Sequence, residues 1–102
     1  MKILWMPLAL GQVQEIVEYI KRDKPEAARR WADSVFDLVE GLSAFPNKGR
    51  VVPESGREEV RELLHGHYRI IYRLDENFIS VLSVRDGRRL LDLEQILEPV
   101  GE

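Results

Sequence analysis

The 102-residue chain contains no cysteine, which excludes disulfides and every metal or nucleophile site built on a thiolate. No apolar run approaches the roughly 20 residues that cross a bilayer. The opening MKILWMPLALG has one lysine and a short apolar stretch broken by Pro7. It lacks a long apolar region and a small-residue cleavage site, so no secretory leader is expected. A soluble, cytoplasmic protein is the default reading. Neither a G-x-S-x-G elbow nor a phosphate-cradling glycine loop occurs. No histidine or tyrosine follows Tyr72. His65 and His67 flank Gly66 without the spaced acids that would complete a metal triad. Neither a metal nor a cofactor is expected.

What is present points to one domain spanning 1–102, large enough for a two-layer core. The net charge of −3 argues against general or sequence-specific nucleic-acid binding. The charge is uneven, however. From Asp92 onward the chain has four acids and no base, a charge of −4; subtracting this from −3 leaves residues 1–91 at +1.

The stretch Glu59 to Arg73 reads as a β-hairpin. In the return strand His67 to Leu74, side chains two apart share a face. Tyr68, Ile70, Tyr72 and Leu74 form a core face. His67, Arg69, Ile71 and Arg73 form a second face, expected to be at least partly open because it carries two arginines.

Around this hairpin, Lys2 to Met6 suits a short strand stopped by Pro7. Leu8 to Arg22 repeats apolar residues at helical spacing (Ala9, Val13, Ile16, Val17, Ile20), and Pro25 to Ala44 does so through Ala28, Trp31, Val35, Leu38 and Leu42. The short link predicts an antiparallel helical hairpin, with Trp31 as a large interface residue. Phe45 to Gly56 is turn-rich but carries Phe45, Val51 and Val52, which predicts a loop packed onto the domain. Phe78 to Arg85 is apolar on both sides, as a central strand would be, with the first strand paired against it. Leu90 to Leu97 closes as a short helix before Pro99. The expected fold is α+β, in the order β-α-α-β-β-β, with the helical hairpin on one face of a largely antiparallel sheet and a short C-terminal helix.

Arg61, Arg69, Arg73, Arg85, Arg88 and Arg89 fall on successive strands and the last turn, so some of them converge. Their planar forks match phosphate or carboxylate. Glu58, Glu59, Glu62 and Asp86 lie nearby, and ordinary salt bridging is the competing reading. Metal-free RNA cleavage asks for a base, an acid and cations at one site. The cations are present, but the Arg85–Arg89 turn has no proton-transfer residue of its own.

Trp5-x-Pro7-x-Ala9, EIVEYI (15–20), PEAARRW (25–31), FPNKGRVVPE (45–54), VRELLHGHYRIIYR (60–73) and VLSVRDGRRLL (81–91) follow one another in a set order. Together they resemble the ParE/RelE superfamily of type II toxin–antitoxin toxins, on the ParE side. The resemblance implies a cognate antitoxin lying along the helical hairpin and first strand, in the region of Leu4, Val13, Val17, Ile20, Trp31, Val35 and Leu38. Arg61, Arg69 and Arg85 match the family's recurring arginines; with the neighbouring Arg73, Arg88 and Arg89 they are the expected target contact, and a toxin–antitoxin heterotetramer or larger assembly is left open. For a ParE-like member the implied activity is inhibition of DNA gyrase without hydrolysis by the toxin. The RelE-like alternative is ribosome-dependent mRNA cleavage. A third reading is a non-toxic antitoxin-binding module.

Overall fold

Pro7 sits in the first turn of the first helix, where the missing N–H of proline leaves no hydrogen bond unmade. It therefore divides strand β1 (Lys2–Trp5) from helix α1 (Pro7–Lys21). Pro25 plays the same part for α2 (Pro25–Glu40), which ends one turn before Ala44 in a 3-10 turn, Gly41–Ser43. The structure is a computed structural model and describes residues 1–88 and 91–97.

Four more strands follow: β2 (Arg50–Val51), β3 (Val60–His65), β4 (Tyr68–Leu74) and β5 (Phe78–Asp86); a short helix, α3 (Leu93–Leu97), comes last. The sheet order is β1-β5-β4-β3-β2. β1 pairs with β5, as the two-sided apolarity of β5 suggested; that pair is parallel and the others are antiparallel. Strand β2 was not foreseen. Its two residues pair with Arg61 and Glu62, too short a stretch to show alternation.

The helical hairpin covers one face. Ala9, Val13, Val35 and Val39 meet Leu63, Ile70, Tyr72, Ile79, Val81 and Val84 in the main core. Simple alternation along β5 put Leu82 with Val84 and Ile79 with Ser83. The structure departs from this at a bulge, where Ile71 pairs with Ser83 but Tyr72 pairs with Val81. The extra residue, Leu82, turns to the opposite face, and Val84 rejoins Val81 under the helices. The side-chain oxygen of Gln12 in α1 accepts from Val84 N–H and Ser83 Oγ, both at 2.8 Å, and so ties the helix to the irregular backbone.

The second face is covered along its middle and open at the turn end. Val60, Ile71 and Leu82 make an apolar strip there, and Val52 from the preceding loop and Ile96 of α3 close over it. Apolar area of that extent is stabilising only when removed from water. The face is thus partly open, as its two arginines suggested: Leu64 and His67 are exposed at the turn end and Arg73 is half-buried, whereas Arg69 is buried beside the covered strip. The loop packs down through Val52, which is fully buried, whereas Phe45 remains 69% exposed.

Candidate functional site

The loop between α2 and β3 is clamped to the sheet by Tyr72. Its hydroxyl donates to Pro46 O (2.8 Å) and accepts from Gly49 N–H (2.9 Å). Arg61 reinforces the clamp by donating to Gly49 O (2.9 Å) and Glu58 O (3.0 Å). Arg61 thus holds the loop that carries Arg50 and Glu54.

That loop completes a chain of four charges. Arg50 Nε donates to one oxygen of Glu62 and Arg69 Nε to the other, both at 2.6 Å. The outer fork of Arg69 makes a bidentate pair with Glu54, at 2.9 and 2.8 Å. Glu62 has no exposed side-chain surface and Arg69 only 9%, whereas Glu54 and Arg50 are 40% and 58% exposed. Two guanidiniums and two carboxylates neutralise one another, which is how a glutamate is retained in the interior.

The hydrogen bonds from Arg69 hold the Glu54 carboxyl at about 2, against an ordinary 4.5. Glu54 raises the Arg69 pKa in turn. A depressed carboxylate pKa stabilises the fold fully above the unfolded value of 4.5, and that contribution is lost as pH falls through about 2. Solvent exposure damps the effect. Thermal unfolding of the wild type should therefore lose its advantage over Glu54→Gln progressively between pH 4.5 and about 2. A difference that does not change with pH would remove the pair from the stability account.

The remaining predicted target-binding arginines do not form one cluster. Arg73 pairs with Asp75 at 3.3 Å at the far end of β4. Arg88 pairs with Asp86 at 2.7 Å, and this, together with the Arg88 N–H, pulls the Asp86 pKa well below the usual range. Arg85 lies opposite Arg69 across the β4–β5 pair, and its Nη1 is buried without a hydrogen-bond partner among the described residues. Arg89, Leu90 (the expected start of the last helix) and residues 98–102, with the acids Glu98 and Glu102, lie outside the described residues.

Arg69 and Arg88 do meet His67 and Tyr68 around a cleft of about 360 Å³ beside the β3–β4 turn. Gly66 takes φ +61° in that turn, a conformation that suits glycine. Tyr68 packs between the tilted ring of His67 (centroids 4.2 Å apart) and Trp31, which it meets edge-on at 5.2 Å. Strand alternation alone hid this meeting, because the turn brings residues of both faces to one rim.

Of the residues assigned to antitoxin contact, Val13 and Val35 are buried under the hairpin at 5% and 0% exposure. Leu4, Val17, Ile20, Trp31 and Leu38 are half-buried. The helical stripe found in the sequence is the core stripe, as the strongest periodicity usually is. The large apolar side chains left exposed on β1, the helices and their flanks are Met1, Leu8, Leu10, Tyr19 and Phe36. Sequence reasoning also passed over Gly49, Glu54, Glu62 and Tyr72 as site residues. The signal for them was the charged, glycine-containing NKGRVVPE segment, legible only against its partner strand.

A family model for the ParE toxin of type II toxin–antitoxin systems (parDE) matches residues 3–91. The chain belongs to that family. As a toxin of a type II system it has an antitoxin as partner. Among curated relatives, Y4kP of Sinorhizobium fredii is 34% identical over 86 residues, covering 81% of this chain and 84% of the relative. Toxin RelE2 of Caulobacter vibrioides is 27% identical over 89 residues, covering 87% and 98%. The fold is shared with the chromosomal ParDE system from P. aeruginosa (TM-score 0.71, 21% identity, covering 84% of this chain and 95% of that one). A YoeB/ParE toxin from Agrobacterium tumefaciens is also similar (TM-score 0.59, 16% identity, 84% and 98% covered). Among the described residues, no helix of the toxin is long and apolar enough to cross a membrane.

Proposed function

We propose that this single-domain toxin acts in the cytoplasm by binding DNA gyrase, trapping it on cleaved DNA without itself cutting nucleic acid. The ion network carries this reading. Arg69, central on the arginine-bearing face, gives three N–H groups to Glu54 and Glu62. The guanidinium that a nuclease would turn toward a scissile phosphate is therefore occupied. The net charge of −3 also suits a protein target better than ribosomal RNA.

One observation favours a second reading, ribosome-dependent mRNA cleavage: His67, a residue type able to act as general acid or base, lines the same cleft as Arg69 and Arg88. Expression without the antitoxin, read out in two ways, separates the two. Gyrase poisoning requires lost supercoiling activity and accumulated cleaved DNA with purified toxin in excess, and no new codon-linked 5′ ends on translated messages. The reverse pattern establishes cleavage. Unchanged growth removes both and leaves the antitoxin-binding module.

A further inference from the structure

The two sides of the Glu54–Arg69 pair are built differently. Arg69 is fixed from within, its Nε held at 2.6 Å by Glu62, a glutamate without side-chain exposure. Its outer fork faces the cleft, and the carboxylate it holds there comes from the solvent side, on a loop residue that is 40% exposed. Arg50 and Arg88 flank the fork with side chains 58% and 72% exposed. Leu64, 56% exposed, and Pro53 supply an apolar shoulder.

We propose that this cleft is a docking seat for a glutamate or aspartate side chain of a protein partner, and that Glu54 is an internal occupant which the partner's carboxylate displaces. A preset guanidinium fork takes a second carboxylate in the geometry of the first. Exchanging one singly charged carboxylate for another leaves the balance with Glu62 and Asp86 unchanged. The exposed Leu64 gives the aliphatic part of the incoming segment a contact that a phosphodiester backbone would not use. A polyanion also approaches against the protein's net charge of −3. The occupant that fits is thus a short acidic segment with neighbouring apolar residues. The inference holds whether gyrase or the ribosome is the cellular target.

The test uses the full chain, ¹⁵N-labelled and titrated with a blocked hexapeptide of alternating glutamate and leucine. The Arg69 Nε–H and the amides of Gly66, His67, Gly87 and Arg88 should shift. An internal competitor on a short loop acts at millimolar effective concentration, so Glu54→Gln and Glu54→Ala should each bind the peptide about tenfold more tightly. Arg88→Glu should bind it about tenfold more weakly, by reversing one flanking charge. Three outcomes overturn the proposal. The first is no perturbation of the wild type at ~10 mM peptide. The second is unchanged affinity in both Glu54 variants with native amide spectra. The third is a response of the same resonances to inorganic phosphate or a hexauridylate RNA but not to the peptide. None of these readouts requires gyrase or ribosomes, so failure here leaves the assignment of the target untouched.

Discussion

Glu62→Ala should destabilise the toxin by about 2–3 kcal/mol, the range for leaving a buried donor of a charged group without its acceptor. The reason is what remains. Arg69 is 7% exposed, and its Nε would lose the oxygen it now reaches at 2.6 Å. Arg50 would lose its partner too, but its largely exposed side chain can turn to water at little cost. A domain of this size has only about 5–15 kcal/mol of stability in total, so the loss decides whether the protein folds at physiological temperature. Urea denaturation measures it directly. A cost below about 1 kcal/mol would place the network among ordinary surface pairs.

Gly49→Ala should cost about 3 kcal/mol, from overpacking and from the hydrogen bonds it breaks. A methyl group at this position would lie 2.6 Å from Glu62 O and 2.6 Å from the Tyr72 hydroxyl. The first is backbone within the sheet and has nowhere to go, so the loop has to lift. Lifting separates Gly49 N–H from Tyr72 and Gly49 O from Arg61. It also moves Glu54, which supplies a second and more specific readout. Followed by carbon NMR, the Glu54 carboxyl should titrate nearer its ordinary 4.5 than about 2. Wild-type stability in this variant would mean that the Tyr72 clamp does not hold the loop.

These two results bear on function because the loop determines what the arginines present. As built, Arg61 holds backbone, Arg69 holds two glutamates, and Arg73 and Arg88 each hold an aspartate. The cationic surface suggested by counting arginines is largely neutralised pair by pair. Of the sheet arginines among the described residues, Arg61 donates to backbone carbonyls instead of a carboxylate, and Arg85 has a buried Nη1 without a partner.

Much of the fold was legible because its signals are local. Pro7 marks the end of the first strand and Pro25 a helix start, the spacing of Ala28, Val35 and Leu42 marks one buried stripe, and the two-sided apolarity of Phe78–Arg85 marks a central strand flanked on both sides. Each depends on residues a few positions apart, where backbone geometry alone relates sequence to direction. The ParE family motifs are local in the same way.

The site needed more than local rules. Nothing near Glu54 in the chain indicates that it meets Arg69, 15 positions on, or that Tyr72 reaches back to Pro46 across 26. The bulge at Leu82 shifts the register of β5 by one residue, and period-two alternation cannot announce its own interruption. The sequence by itself determined the elements, their order and the family. Only the tertiary structure decided what each arginine holds, because a guanidinium's partner is whichever carboxylate or carbonyl the folded chain brings within hydrogen-bond reach.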